Sequence, residues 1–251
     1  YARCFAIVLL STQPAFASKV NGTLSSRLDF YPDHADGTAS EGRSAEVKID
    51  AFHDFEGSRI VGEFIFRGDK KDSGRRITEA RQAYFRSPFA GFDFFVGNRQ
   101  EFWGKAESKN VVDVINQSDA AANEGKSGKL GAPSISAERY LNIGDLQLWY
   151  ISSFREKTFN DSDAHPSSGV PFNSAQYARK DGKDADDFAA RLSSFAGDWD
   201  IAGSVFYGTA RDPILSVNSN GSLLNPHYAL QKSIGFEAQY TGNVTLLKWE
   251  S

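Results

Sequence analysis

The feature that most constrains this chain is a two-residue alternation of apolar and polar side chains that recurs from residue 18 onward. Val20, Gly22, Leu24, Leu28 and Phe30 alternate with Lys19, Asn21, Thr23, Arg27 and Asp29. Ala45, Val47, Ile49 and Ala51 alternate with Glu46, Lys48 and Asp50, and Ile60, Gly62, Phe64 and Phe66 with Arg59, Glu63 and Arg67. The pattern returns around Phe92, Phe188, Trp199 and Leu230. Successive side chains of a strand point to opposite faces, so this period predicts strands with one apolar and one charged face. Stretches near 77–87, 134–141 and 146–155 also read as strands, but their faces do not separate cleanly.

The connections carry a second pattern. Short ones fall at Glu56-Gly57-Ser58, Ser87 to Gly91, Asn142 to Asp145, Ala196-Gly197-Asp198 and Thr241-Gly242-Asn243, where Gly, Asn and Asp suit tight hairpins. Long polar ones fall near 32–43, 68–76, 106–133, 156–186 and 210–228, so every second connection is long. An up-and-down meander places alternate connections on the same edge, as in outer-membrane barrels with short periplasmic turns and long outer loops. The expected fold is therefore all-β: an incomplete transmembrane antiparallel up-and-down β-barrel of about eleven strands.

Composition fits this reading. Hydrophobic residues make up 40% of the chain and the mean hydropathy is −0.43, values that also suit a water-soluble domain. A lipid-facing side, a wet side and polar loops average to the same numbers. No apolar run is long enough for a membrane-spanning helix. With 28 basic and 32 acidic residues the net charge is −4, which gives no electrostatic footprint for nucleic acid. Phe30, Tyr31, Phe55, Phe89, Trp199, Tyr207, Tyr228, Tyr240 and Trp249 fall near strand ends, where interfacial girdles form.

Residues 1–17 read as a secretory leader truncated at its start: Arg3 precedes an apolar Cys4 to Leu10 stretch and an Ala15-Phe16-Ala17 cleavage site. Cys4 is the one cysteine and would leave with the leader. The chain contains no Met, and the last strand pattern, Val244 to Glu250, runs to its end. Residues 18–251 are therefore expected to be the N-terminal part of a barrel truncated at its C-terminus.

The segment Phe92 to Asn116, FDFFVGNRQEFWGKAESKNVVDVIN, resembles a strand and following loop of uncharacterised bacterial outer-membrane porin-like proteins related to the alginate-export barrels. Those proteins read Val-Gly-Arg-Gln, Trp-Gly-Lys and Asp-Val-Ile-Asn-Pro. Here Asn98 interrupts Gly-Arg-Gln, and Gln117 stands in the place of the Pro. Tyr140 to Phe159, Gly197 to Pro213 and Pro226 to Trp249 are similar to later hairpins of the same family. The resemblance implies a longer barrel in a bacterial outer membrane, with membrane lipid and lipopolysaccharide as surroundings.

A channel needs an interior whose charges set selectivity and a constriction. The register predicts Arg27, Glu46, Lys48, Asp50, Arg59, Glu63, Arg67, Arg191, Glu237 and Lys248 facing inward, with Phe95 and Phe206 among the inward aromatics. Arg99, Glu101 and Lys105 are placed on the upper part of one strand, before the 106–133 loop that carries Asp113 and Asn116. If that loop folds into the lumen, these five line its narrowest part; otherwise Arg99 and Glu101 form an ion pair on the wall.

Enzymatic and metal-binding readings find little support. His34, His53, His165 and His227 show no metal-ligand spacing, and no Gly-x-Ser-x-Gly is present. His53 beside Asp54 is the one strand-borne candidate for a hydrolase site. The acidic stretch from Lys180 to Asp187 lacks the spacing of a calcium loop. The expectation is a porin-like channel for passive diffusion of hydrophilic or amphiphilic solutes, with no cofactor and with homo-oligomers compatible. The alternatives are an outer-membrane scaffold that binds or adheres through its loops, or a soluble secreted β-sheet binding protein.

Overall fold

The computed structural model describes residues 5–10, 18–30, 41–106, 110–122, 128–164, 167 and 169–251. Its strands, in chain order, are β1 (Phe5–Leu10), β2 (Ser18–Phe30), β3 (Glu41–Phe55), β4 (Ser58–Asp69), β5 (Ile77–Phe89), β6 (Phe92–Arg99), β7 (Gln117–Ser118), β8 (Lys129–Leu130), β9 (Ala132–Leu141), β10 (Gly144–Ile151), β11 (Gln176–Tyr177), β12 (Asp187–Ala196), β13 (Trp199–Thr209), β14 (Ile214–Val217), β15 (Leu224–Tyr228), β16 (Leu230–Thr241) and β17 (Leu246–Glu250). Twelve of these form one antiparallel sheet in the order β1-β2-β3-β4-β5-β6-β9-β10-β12-β13-β16-β17. The all-β, up-and-down expectation holds. The sheet is open among the described residues, with β1 and β17 as its edges, so a closed barrel is not what these strands form by themselves.

From residue 18 onward the sheet has the eleven strands expected. A twelfth, β1, comes from the stretch assigned to the leader and pairs with β2 from Phe5↔Ser26 to Leu10↔Asn21. An apolar hexapeptide can pair with an available strand edge whatever its role in the cell. The rest of the expected leader, residues 1–4 and 11–17, lies outside the described residues, as do Tyr31, His34 and His165.

The short connections lie at one edge. Phe55 pairs with Ser58, Phe89 with Phe92, Leu141 with Gly144 and Ala196 with Trp199, each across a two-residue turn. Glu56-Gly57 and Ala90-Gly91 have positive φ at both positions, the backbone of a type I′ turn that matches strand twist. The long connections all leave from the opposite edge.

The register puts Val20, Leu24, Val47, Ile60, Phe64, Phe85, Val96, Ile135, Leu148, Phe188, Val205 and Ile234 on one face, and most stand open, Ile234 at 85%. The other face carries Arg67, Arg99, Asp187 and Glu237, all buried. A water-soluble protein hides its large apolar side chains and exposes its charges; this sheet does the reverse. By the same register, among the described strand residues, the apolar face bears four charged side chains: Glu41 and Arg43, which pair with each other at the start of β3, and Arg139 and Lys232. All four lie near strand ends, Arg139 and Lys232 against the aromatic rings of Phe92 and Tyr207 respectively.

Candidate functional site

The connection from β6 to β9 covers the charged face. Strand β6 ends at Arg99, so Glu101 and Lys105 belong to this connection and not to the strand on which the sequence reading placed them. The chain descends along the inner wall, turns and climbs back to the short β7–β8 pair. Trp103 Nε1 donates to Gln147 Oε1 of β10 at 2.9 Å. Trp103, Val112 and Ile115 pack against Ala132, Trp149, Ile151, Ala189 and Phe206 of the wall. Each buried apolar side chain of this size contributes about 2 kcal/mol, enough together to hold the segment down. Gly235 of β16 makes room for it: a Cβ there would lie 2.8 Å from Val112 Cγ1 and 2.6 Å from Ser204 Oγ.

Polar contacts fix the segment, hereafter the plug. Asn116, buried, accepts from the Glu101 N–H at 2.6 Å and donates to the Arg99 carbonyl at 2.9 Å, tying the descending leg to the returning one. At the turn, the Glu250 carboxylate of β17 accepts the backbone N–H groups of Lys105, Ala106 and Val111. On the opposite side Asp119 pairs with Arg67 of β4, and Arg67 also reaches Glu46 at 3.4 Å. Arg211, from the β13–β14 connection, donates to the carbonyls of Val114 and Ile115 at 2.9 and 3.0 Å and to Asp187 at 2.8 Å. Burial holds the Arg211 guanidinium below its ordinary pKa, and Asp187 acts in the opposite direction. The plug thus spans the inner face from β4 to β17.

The residues expected to line a constriction fall into several groups. Arg99 pairs with Glu101 at 2.8 Å and with Glu138 of β9, donates to Ser136 Oγ at 2.9 Å, and stacks its guanidinium 3.8 Å from the Phe95 ring centroid. Arg99 and Glu101 thus form the ion pair that the sequence offered as one of two alternatives. Glu101 is largely buried, and burial pushes its carboxyl above the ordinary value; Arg99 pulls it down and Glu138 pushes it up. Asp113 pairs with Lys129 at 2.7 Å within the plug. Glu63 stands apart on β4, paired with Lys48 at 2.9 Å. Arg191 grips Glu237 through two bonds of 2.8 and 2.9 Å.

Lys105 joins Arg191 and Glu237 around a cavity of about 200 Å³ near the short-turn edge, also lined by Asp145, Ser193, Asp200 and Ala202. Sequence reasoning did not single out Asp145, Asp200, Glu138, Asp119, Arg211 or Glu250, and it considered Asp187 only as part of an acidic loop. Trp103 was within the Trp-Gly-Lys motif, which signalled it. Asp145 and Asp200 sit at period-2 inward positions, and that parity could have found them. Glu138 and Glu250 are likewise strand residues, but their partners depend on which strands and loops meet them, and Asp119 and Arg211 depend on how loops fold.

His53 accepts or donates with Ser18 Oγ at 2.6 Å on the apolar face, and Asp54 pairs with Arg59 on the other, so no catalytic group joins the two. Among the described residues no group of three metal-ligating side chains occurs. No protein-family model, no curated protein and no solved structure matches this chain.

Proposed function

We propose that this protein is a porin-like channel of the bacterial outer membrane that passes hydrophilic or amphiphilic solutes by passive diffusion, without a cofactor. The observation that carries the reading is the inverted sheet: an outer face of open apolar side chains against an inner face of buried charges. Hydrocarbon suits the first and an aqueous lumen the second. The strands agree in length, since β2, β3, β4, β5, β13 and β16 have 11 to 15 residues, against about 9 to 11 needed to cross a bilayer. An unpaired strand edge is not stable in hydrocarbon, so the reading requires both edges of the sheet that remains after the leader, β2 and β17, to be closed by pairing in the membrane. The plug is then the element that narrows the lumen, with Arg99, Glu101, Lys105, Asp113 and Asn116 on it or at its root and Arg67, Glu63, Arg191 and Glu237 on the wall.

Reconstitution into planar bilayers tests this. Step-like currents are expected, with a change in ion selectivity on Arg99→Glu. Absence of current in a protein that stays in the membrane fraction would leave the loop-borne binding scaffold, and extraction without detergent would leave a soluble β-sheet binder.

A further inference from the structure

The apolar face is not evenly filled. Near its long-loop end two rows of side chains cross the strands from β9 to β16. In the row nearer the rim, Ile135, Tyr150, Phe188, Tyr207 and Lys232 stand side by side. In the next row Ala137 and Ala190 flank Leu148, with Val205 beyond. The short alanine side chains leave a hollow among larger neighbours, a groove of about 480 Å³ with Tyr150, Phe188 and Tyr207 at its rim side. Atoms that line an unfilled hollow lack contact partners on one side. A linear acyl chain has the shape and the chemistry to supply them.

Lys232 ends the rim row. Its Nζ stands 5.4 Å from the ring centroid of Tyr207, and among the described residues no carboxylate pairs with it. The carboxylates near this row are engaged elsewhere: buried Asp187 is held by Arg179 and Arg211 at 2.8 Å each, and Asp186 accepts from the Tyr150 hydroxyl at 2.8 Å. Arg179 lies 5.7 Å from the same Tyr207 ring. Two cations therefore flank the ring at the head of the groove, and only one of them is neutralised. Arg139 packs on Phe92 at the opposite rim and lies outside the groove.

We propose that this groove seats a membrane lipid with an anionic phosphate headgroup, its acyl chain lying over Ala137 and Ala190 and its phosphate paired with the Lys232 ammonium. Tyr150, Phe188 and Tyr207 then lie at the boundary between chain and headgroup, where aromatic side chains gather in membrane proteins. Lysine meets phosphate as a point charge, so the preference for an anionic headgroup weakens with ionic strength while the contribution of the chain does not. The proposal rests on the membrane placement given under the proposed function.

The test is native mass spectrometry of the full chain, released from detergent micelles doped with phosphatidylglycerol or with phosphatidylcholine of the same chains. Retention of phosphatidylglycerol is expected to exceed that of phosphatidylcholine about fivefold, the effect of one lysine at an anionic lipid surface. Lys232→Gln is expected to remove the excess, and Arg139→Gln to leave it in place. Ala190→Leu, which fills the groove, is expected to lower retention of both lipids alike. Equal retention of the two lipids, an excess untouched by Lys232→Gln, or one lost equally with Arg139→Gln would overturn the seat and leave the membrane reading standing. A protein that is extracted without detergent would bring down the membrane reading, and the seat with it.

Discussion

Glu101 is held in a setting that disfavours its charge, and this makes the plug sensitive to pH. Burial is the largest influence and raises its pKa, Arg99 opposes it and Glu138 adds to it. A carboxyl whose pKa is higher in the folded plug than in the released one stabilises the fold most when protonated. Its contribution is complete below the ordinary carboxylate value and is lost as pH rises through the raised one. Hydrogen exchange of the plug amides, compared across that window, is expected to quicken with pH beyond the intrinsic rate, and Glu101→Gln is expected to abolish the excess. Removing the staple beside it, Asn116→Ala, forfeits two hydrogen bonds worth about 1 kcal/mol each, and limited proteolysis within the plug should quicken several-fold. Arg99 and Glu101 were legible in the sequence as candidate neighbours. Glu138, which completes the cluster, was not, because nothing local fixes the pairing of β9 with β6 that brings it there.

The strands that read cleanly are those whose two faces meet unlike surroundings along their whole length, as β2, β3 and β4 do. Three others were blurred, for two physical reasons. Strand β5 carries an irregularity opposite Glu63 and Phe64, where the register steps from Gln82 to Ala80, so the parity changes sides partway along. In β9 and β10 the inner face supports the plug, and Ala132, Trp149 and Ile151 are apolar there; with apolar residues on both faces the period fades. The outer face of β10 gives the element its sharpest test. Leu148 stands 41% exposed, and Leu148→Arg is expected to cost about 2–4 kcal/mol in a bilayer-embedded wall, against less than about 0.5 kcal/mol at a watery surface. Reversible urea unfolding from lipid vesicles reads the difference.

At the scale of the whole molecule, the proposed channel would have the plug set how much of its interior is open. It rests on strands as far apart as β4 and β17, through Arg67 and Glu250, so it is an inner layer of the fold and not a surface loop. Replacing residues 104–115 by a short Gly-Ser bridge is expected to raise single-channel conductance by roughly twofold or more, since the narrowest section sets the current, while the strands keep their heat-modifiable migration in detergent. By itself the sequence determined the all-β, up-and-down class, the sidedness of its loops and which residues of the cleanly alternating strands share the charged face, because all three follow from a period of two and from turn chemistry, which are local. Only the tertiary structure decided the path of the plug, the partners Asp119, Arg211 and Glu250 that fix it, and the cavity beside Lys105 that it helps to line. Those contacts join residues up to 145 positions apart, and no spacing along a chain encodes which distant carboxylate will meet which backbone N–H.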